Sequence, residues 1–197
     1  EESQNFNASL EFRPGEVFSA IVSAGYSKDD DDLAAIVLQD RYANNCFLAS
    51  ARQYYCGAVA EQGTVTLDRA GLQGTEGVNR ESTRVSAALK WNLGDYTLSS
   101  SSGLFTTDSE YGYDVDITDN FTAVLRDFSR VAVSERTELS SELIFRSDVS
   151  KRVRFLGGAY YYKSRRDFRE ERILNRARDV DNGEDRIDNQ ALFGYVE

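Results

Sequence analysis

Residues 136–162, RTELSSELIFRSDVSKRVRFLGGAYYY, decide the fold, because apolar and polar side chains alternate through both halves of this stretch. The two halves flank Ser147-Asp148-Val149-Ser150, a run of turn-forming residues. Alternation with a period of two is typical of a β-strand that presents one side to an apolar environment. Leu139, Leu143 and Phe145 share one side of the first half, and Val153, Phe155 and Ala159 share one side of the second. The stretch therefore predicts a β-hairpin.

The same unit occurs twice earlier in the chain. Residues 3–13 and 18–26 alternate on either side of Arg13-Pro14-Gly15-Glu16, where Pro fixes φ and Gly is expected to supply an unusual dihedral angle. Residues 84–91 alternate before the turn at 92–95, and residues 96–105 return with a weaker pattern interrupted by four serines. A seventh strand begins near Asn189. The sequence predicts an all-β, antiparallel fold of about seven strands.

The connections between these strands alternate between short and long. Short turns lie near residues 14, 93 and 149, whereas the long segments cover about 29–79, 106–135 and 163–188. Outer-membrane β-barrels have this layout, with short periplasmic turns and long extracellular loops. Aromatic residues mark the expected strand ends, namely Phe12, Phe18, Trp91, Tyr96 and Tyr160-Tyr161-Tyr162. Such residues favour the membrane–water interface, although ordinary packing of aromatic residues across a sheet is an alternative interpretation. We expect a segment of a transmembrane antiparallel β-barrel with long extracellular loops.

Composition excludes several functional classes. The 197 residues carry a formal net charge of -10, which argues against binding to nucleic acid phosphates. The absence of histidine removes the commonest general base and metal ligand, and no constellation for acid–base or nucleophilic catalysis is present. The acidic run Asp29–Asp32 could offer oxygen ligands to calcium, but a solvated acidic loop is the favoured interpretation. We therefore expect neither an enzyme nor a cofactor or metal site.

The decisive hairpin, followed by the charged KSRRDFREE and then by DNQALFGYVE, resembles the central barrel of TonB-dependent outer-membrane receptors. Residues 91–99, WNLGDYTLS, resemble an earlier hairpin of the same family. The resemblance implies an outer-membrane receptor of a Gram-negative bacterium that takes up a scarce small extracellular ligand, such as a siderophore, vitamin or oligosaccharide. It also implies a plug domain inside the barrel, contact with membrane lipid and energy supplied through the TonB complex. Because no plug pattern occurs within residues 1–197, we expect these residues to be part of a longer receptor.

The long segments contain the candidate site residues. Cys46 and Cys56, in NNCFLASARQYYCG, are predicted to form a disulfide, with two free thiols or a redox pair as alternatives. Candidate ligand contacts are Tyr54, Tyr55, Arg165 and Arg166. For residues 165–172 the favoured alternative to a ligand site is a solvated loop helix with internal ion pairs. Charged residues expected to face a wet barrel interior, where they would contact the plug, are Glu11, Arg84, Lys90, Glu142 and Arg154.

Two other functional classes remain open at this point. One is a passive, porin-like barrel without a plug. The other is a soluble secreted β-sandwich that acts as a binding module, with the predicted disulfide as a staple. A sandwich would bury the apolar sides of its strands against each other, whereas a barrel would turn them towards lipid. Solubility without detergent would therefore distinguish the sandwich from either barrel.

Overall fold

The computed structural model describes residues 2–32, 46–49, 52–54, 72, 75, 77–114, 128–148, 152–174 and 177–197. These residues form an all-β fold. The strands are β1 (Glu2–Phe12), β2 (Phe18–Asp31), β3 (Cys46–Ala49), β4 (Arg52–Tyr54), β5 (Gly77–Asn92), β6 (Tyr96–Asp114), β7 (Phe128–Ser147), β8 (Phe155–Leu174) and β9 (Ala177–Val196). Seven strands form one sheet in the order β1-β2-β5-β6-β7-β8-β9, and β3 and β4 form a separate two-stranded sheet. All the strand pairs are antiparallel.

The predicted hairpins and the number of strands in the main sheet are confirmed. In the decisive stretch, Leu143 lies opposite Ala159 and Phe145 opposite Gly157. The turn between β5 and β6 depends on Gly94, whose φ of 67° lies in the left-handed region that glycine adopts without strain. Gly15 has no such φ, so the expectation of an unusual dihedral at the first turn is wrong. Pro14 and the polar residues around it suffice for a turn that needs no left-handed residue.

The strands extend much further than their apolar patterns predicted. Residues 163–188, expected to be a long loop, are the outer parts of β8 and β9, which are separated only by residues 175 and 176. The loop expected at 106–135 is also partly strand, because β6 reaches Asp114 and β7 begins at Phe128, and residues 115–127 lie outside the described ranges. Both sides of these outer strand parts carry mainly polar residues, with exceptions such as Val131 and Ala132, so they lack the regular alternation that reveals a strand in sequence. The alternative of a loop helix over residues 165–172 is also wrong, since these residues lie in β8.

Register assigns every side chain to one of two faces, because residues opposite each other on antiparallel strands point to the same side. One row across five neighbouring strands reads Ala8, Ala24, Val85, Leu104 and Leu139, and we call its side the apolar face. The adjacent row reads Asn7, Gly25, Arg84, Phe105 and Glu138, and we call its side the polar face. The sheet thus separates the two chemistries that alternate in the sequence.

The main sheet is open along two edges. Among the described residues, β1 pairs only with β2, and β9 pairs only with β8. Few side chains are buried in this part of the chain, where the buried hydrophobic residues are Leu72, Val131 and Ala132. Within the described ranges, no helix is long and apolar enough to cross a membrane.

Candidate functional site

The apolar face carries a broad band of exposed hydrophobic side chains. Leu10 and Leu192, which lie on the two edge strands, are 72% and 88% exposed. Other large members of the band are Phe6, Phe12, Val22, Val85, Trp91, Leu104, Leu139, Leu143, Phe145 and Val196. A contiguous apolar surface that spans a whole sheet is much larger than the scattered hydrophobic residues of an ordinary soluble surface. The band is therefore a candidate contact surface for lipid or another apolar partner.

One end of this band is lined with aromatic rings, next to the short turns. Phe18 of β2 contacts aromatic rings on both neighbouring strands. Its ring centroid lies 6.4 Å from that of Phe12 on β1 and 4.8 Å from that of Trp91 on β5. Tyr96 stacks on Phe145 at 5.5 Å, and Phe155 lies 5.6 Å from Phe145. We call this set, Phe12, Phe18, Trp91, Tyr96, Phe145 and Phe155, the aromatic row. Amphipathic aromatic girdles of this kind edge the apolar band of membrane barrels.

The second expected set of aromatic residues does not lie at a strand end. Tyr160, Tyr161 and Tyr162 were expected at the far end of their strand, but β8 continues to Leu174. Register places Tyr161 on the apolar face, opposite Ser141 and Gln190, and Tyr160 and Tyr162 on the polar face. The structure therefore has an aromatic row at the end with short turns and a tyrosine run inside β8.

The polar face carries most of the hydroxyl, amide and charged groups of the sheet, together with some apolar side chains such as Ile21 and Phe193. Four of the charged residues expected to share a wet surface, Glu11, Arg84, Lys90 and Glu142, lie on this face. The fifth, Arg154, precedes β8 and forms an ion pair of 2.7 Å with Glu197. Hydroxyl pairs join neighbouring strands, such as Ser9 with Ser23 at 2.9 Å. Such a face is suited to water or a polar ligand, in contrast to the opposite side of the same strands.

Ion pairs connect the outer parts of the strands, beyond the apolar band and far from the short turns; we call this region the distal half. Here Arg80 bonds Asp29 at 2.8 Å, and Ser3 donates to the same carboxylate at 2.6 Å. These hydrogen bonds, that of Ser3 first, hold the pKa of Asp29 below its ordinary value. The contacts join three strands, β1, β2 and β5, where few apolar side chains are buried.

A second charged cluster joins β6, β7 and β8 on the polar face of the distal half. Arg130 forms an ion pair with Glu170, and it donates a hydrogen bond of 3.0 Å to the Tyr113 hydroxyl. Arg172 binds the same Glu170 carboxylate, whose side chain is only 14% exposed. The hydrogen bonds from Arg130 and then Arg172 lower the pKa of Glu170. This cluster holds the ends of three long strands in a fixed arrangement.

The four predicted ligand contacts do not come together among the described side chains. Arg165 and Arg166 are neighbours in β8 and therefore lie on opposite faces. Arg165 lies on the side that continues the apolar face, where it pairs with Glu184 at 2.9 Å. Arg166 lies on the polar face, with its guanidinium 5.5 Å from the centre of the Phe168 ring. Tyr54 ends β4, and neither its side chain nor Tyr55 is among the described parts.

The predicted disulfide also falls outside the description. Cys46 begins β3, opposite Tyr54 of β4, but Cys56 lies outside the described residues. The disulfide therefore remains a prediction. Among the described residues, no group of histidine, cysteine and acidic side chains is arranged to hold a metal ion.

Sequence reasoning missed the contacts between arginine and aromatic side chains on the polar face. The Arg84 guanidinium lies 5.6 Å from the centre of the Phe105 ring, and that of Arg130 lies 6.0 Å from the centre of the Tyr113 ring. The first contact could have been found, because the turn at residues 92–95 fixes the register that places Arg84 opposite Phe105. The second joins residues 113 and 130, both of which the sequence pattern assigned to the long loop at 106–135.

Comparison with known proteins adds no family assignment. No protein-family model matches the chain, and no curated protein matches it significantly.

Proposed function

We propose that this chain forms part of the wall of an outer-membrane β-barrel belonging to a TonB-dependent receptor that takes up a scarce small nutrient. The observation that carries the proposal is the exposed apolar band on one face, lined at the end with short turns by the aromatic row. The other face of the same strands is polar. A barrel wall needs this combination, since its outside meets lipid and its inside meets water.

Lipid is a better partner for the apolar face than a second protein layer. A β-sandwich would need another sheet packed about 10 Å from the first. In the described part of the chain, the seven long strands lie in a single sheet, and Val22 and Leu143, in the interior of that sheet, are 46% and 47% exposed. The described residues outside this sheet are too few to cover the band. The soluble sandwich is accordingly the weaker proposal.

The bilayer imposes a further requirement on the edges. No water is present in the hydrocarbon region to bind the free N–H and C=O groups of β1 and β9, and each unsatisfied group costs several kcal/mol there. Both edges must therefore pair with further strands, so that the sheet closes. The proposal thus requires a barrel with more strands than the seven in this sheet.

The polar face would line the interior of that barrel, and the distal half would extend beyond the membrane on the extracellular side. Ligand selection is assigned to the polar face and to the long connections, because these parts meet the solution first. The plug domain, the TonB complex and active uptake come from the resemblance of the hairpins alone. A passive, porin-like barrel would have the same two faces, and it differs in needing no energy for transport.

Fractionation of cells tests the membrane assignment. The native polypeptide should remain with the outer membrane after salt washing, require detergent for release, and have an intact mass well above 22.1 kDa. Release without detergent as a chain of that mass would overturn the proposal in favour of a soluble module. If the membrane assignment holds, nutrient uptake should stop when TonB is deleted. Uptake that continues unchanged in the TonB-deficient strain would indicate passive diffusion.

A further inference from the structure

We propose that Arg84 is the anion-binding centre of a ligand subsite on the polar face, and that the subsite takes a small organic ligand bearing carboxylate or phosphate groups. This inference rests on the proposed function for its biological role, because a receptor needs a ligand site on the face that lines its interior. The binding chemistry itself depends only on residues of this sheet.

The first observation is that Arg84 lacks an acidic partner. Most arginines of the described strands are neutralised by a carboxylate, as Arg80 is by Asp29 and Arg130 by Glu170. No carboxylate of the described residues forms an ion pair with Arg84; its recorded contact is the Phe105 ring. The acid that follows in the same row, Glu138, lies beyond Phe105 and is paired with Arg136. The charge of Arg84 is therefore available to a ligand.

The second observation is the space around this side chain. Arg84 lies opposite Gly25 on β2 and Phe105 on β6, and Gly103 is two residues from Phe105 on the same face. Three shallow grooves of about 410, 190 and 290 Å³ meet at Arg84. The larger two are near the lower end of the volumes that small-molecule sites occupy. The Asn7 amide fills the space over Gly25, where its Oδ1 would lie 2.6 Å from an added Cβ, whereas at Gly103 the nearest such atom is the Ser140 hydroxyl at 3.4 Å. Room for a ligand next to the guanidinium therefore lies on the Gly103 side, and Asn7 borders it on the other.

The third observation concerns the groups that surround this space. The cation–π contact with Phe105 restrains the guanidinium and leaves N–H donors for a bidentate contact with a carboxylate or phosphate. Neutral hydrogen-bonding groups line the same grooves, among them Asn7, Ser86, Ser140 and Tyr162. The one acid in the lining, Glu138, is neutralised by its ion pair with Arg136. The neutral groups can donate to the remaining oxygens of an anion and to hydroxyl groups of the ligand. Charge and hydrogen-bonding capacity therefore both favour a polyoxygenated anion.

Calorimetric titration with citrate, a small trianion, tests the inference on the purified full-length protein in detergent. Citrate should bind saturably and more weakly as sodium chloride is added, whereas sucrose, an uncharged polyol, should not compete. The Arg84→Gln variant should bind citrate about 10- to 100-fold more weakly, since it loses charge-assisted hydrogen bonds. Arg84→Lys should retain part of the affinity, because it keeps the charge without the bidentate geometry.

Arg166→Gln is the matched control. Arg166 is also stacked on an aromatic ring of the polar face without an acidic partner among the described residues, but it lines none of the three grooves. Its replacement should leave the citrate affinity within about twofold. Phe105→Leu gives a second variant if Arg84→Gln does not fold, and it should weaken binding because the guanidinium loses its restraint.

Two results would overturn the inference: no citrate binding to the natural protein, or equal losses of affinity in Arg84→Gln and Arg166→Gln. The second result would mean that citrate responds to the general charge of the surface. The fractionation experiment is independent of this test. A soluble protein that still binds citrate through Arg84 would contradict the receptor proposal and leave the subsite intact. A membrane receptor that does not bind citrate would contradict the subsite and leave the receptor proposal intact.

Discussion

The ring of Phe18 on β2 lies 4.8 Å from the indole of Trp91 on β5, centroid to centroid and tilted by 47°, across directly opposed positions of the two strands. This contact belongs to the aromatic row, beside the short turns. Aromatic pairs contribute about 0.5–1.5 kcal/mol beyond the area that they bury. The more informative property of the pair is its position, because Trp91 is the single tryptophan of the chain and is 44% exposed on the apolar face.

The first prediction uses Trp91 as a depth probe. In bilayers, its fluorescence should be quenched strongly by lipids brominated near the headgroup and weakly by lipids brominated at the chain ends, because indoles prefer the interfacial level. The matched control is the double variant Lys90→Trp, Trp91→Phe, which moves the indole to the polar face. Its quenching by either lipid should be slight. Equal quenching of the two proteins would contradict a lipid-facing aromatic row.

The second prediction compares two adjacent residues of β2. Val22 is 46% exposed on the apolar face, and Ile21 is 39% exposed on the polar face, opposite Glu11. Val22→Arg should destabilise the bilayer-inserted protein by about 2–4 kcal/mol, because it places a charge near the middle of the apolar band. Ile21→Arg should change stability by less than about 0.5 kcal/mol, since its charge would face water and Glu11.

Reversible denaturant unfolding in lipid vesicles measures this difference. If the apolar face met water instead of lipid, both side chains would already be solvated, and the two substitutions would have similar small effects. Similar free energies of unfolding for the two variants would therefore show that the apolar face does not contact lipid.

Sequence reasoning succeeded where one side of each strand is apolar. The alternation through residues 136–162 and the turns near residues 14, 93 and 149 predicted the hairpins, and the turns also set the register. Sequence reasoning failed in the distal half. There Glu171 contacts Arg169 and Arg178, so its strand is stabilised by ion pairs whose partners cannot be recognised before the strands are aligned.

The candidate site shows the same limit. Arg165 and Arg166 were grouped because they are adjacent in sequence, an interpretation that suits a loop. Because the segment is a strand, side chains that are adjacent in sequence point to opposite faces of the sheet. Arg84 and Phe105, in contrast, are 21 positions apart and yet directly opposed. Charge patterns along the chain therefore do not show which side chains share a face of the sheet.

The third prediction concerns two neighbouring glycines of β8. A Cβ atom at Gly158 would lie 2.4 Å from the Phe193 ring and 2.8 Å from the Leu143 carbonyl oxygen, which belongs to a neighbouring backbone. At Gly157, the nearest atom would be the Phe193 carbonyl oxygen at 3.9 Å. Gly158→Ala should destabilise the sheet by about 1–3 kcal/mol through overpacking. Gly157→Ala should be neutral or slightly stabilising, because alanine restricts the unfolded chain.

Denaturant midpoints of the two alanine variants, measured under identical conditions, check this expectation. A larger loss of stability for Gly157→Ala than for Gly158→Ala would contradict the packing of Phe193 over Gly158. Phe193→Leu in the Gly158→Ala background should recover part of the lost stability, since it removes one of the two close contacts.

The fourth prediction is a pH dependence of the distal half, outside the apolar band. Hydrogen bonds from Arg130 first, and then from Arg172, lower the pKa of Glu170. Because the folded state holds this proton less tightly than the unfolded state, the stabilisation is complete above the ordinary glutamate pKa. It is lost as the pH falls through the lowered pKa of the folded state. Amide protection of β7 and β8 around Arg130 and Glu170 should therefore decrease below about pH 4.

Glu170→Gln isolates this contribution from that of other acids near Arg172, such as Asp181 at 3.9 Å. The variant should lose about 1 kcal/mol of local stability at neutral pH, a value that allows for solvent screening of a partly exposed pair. Its protection should also change less between pH 6 and pH 3 than that of the natural protein, with protection factors corrected for the intrinsic exchange rate. If both proteins lose protection equally over this range, protonation of Glu170 is not the cause of the acid destabilisation of the distal half. The other ion pairs of β8 and β9 are then responsible for it.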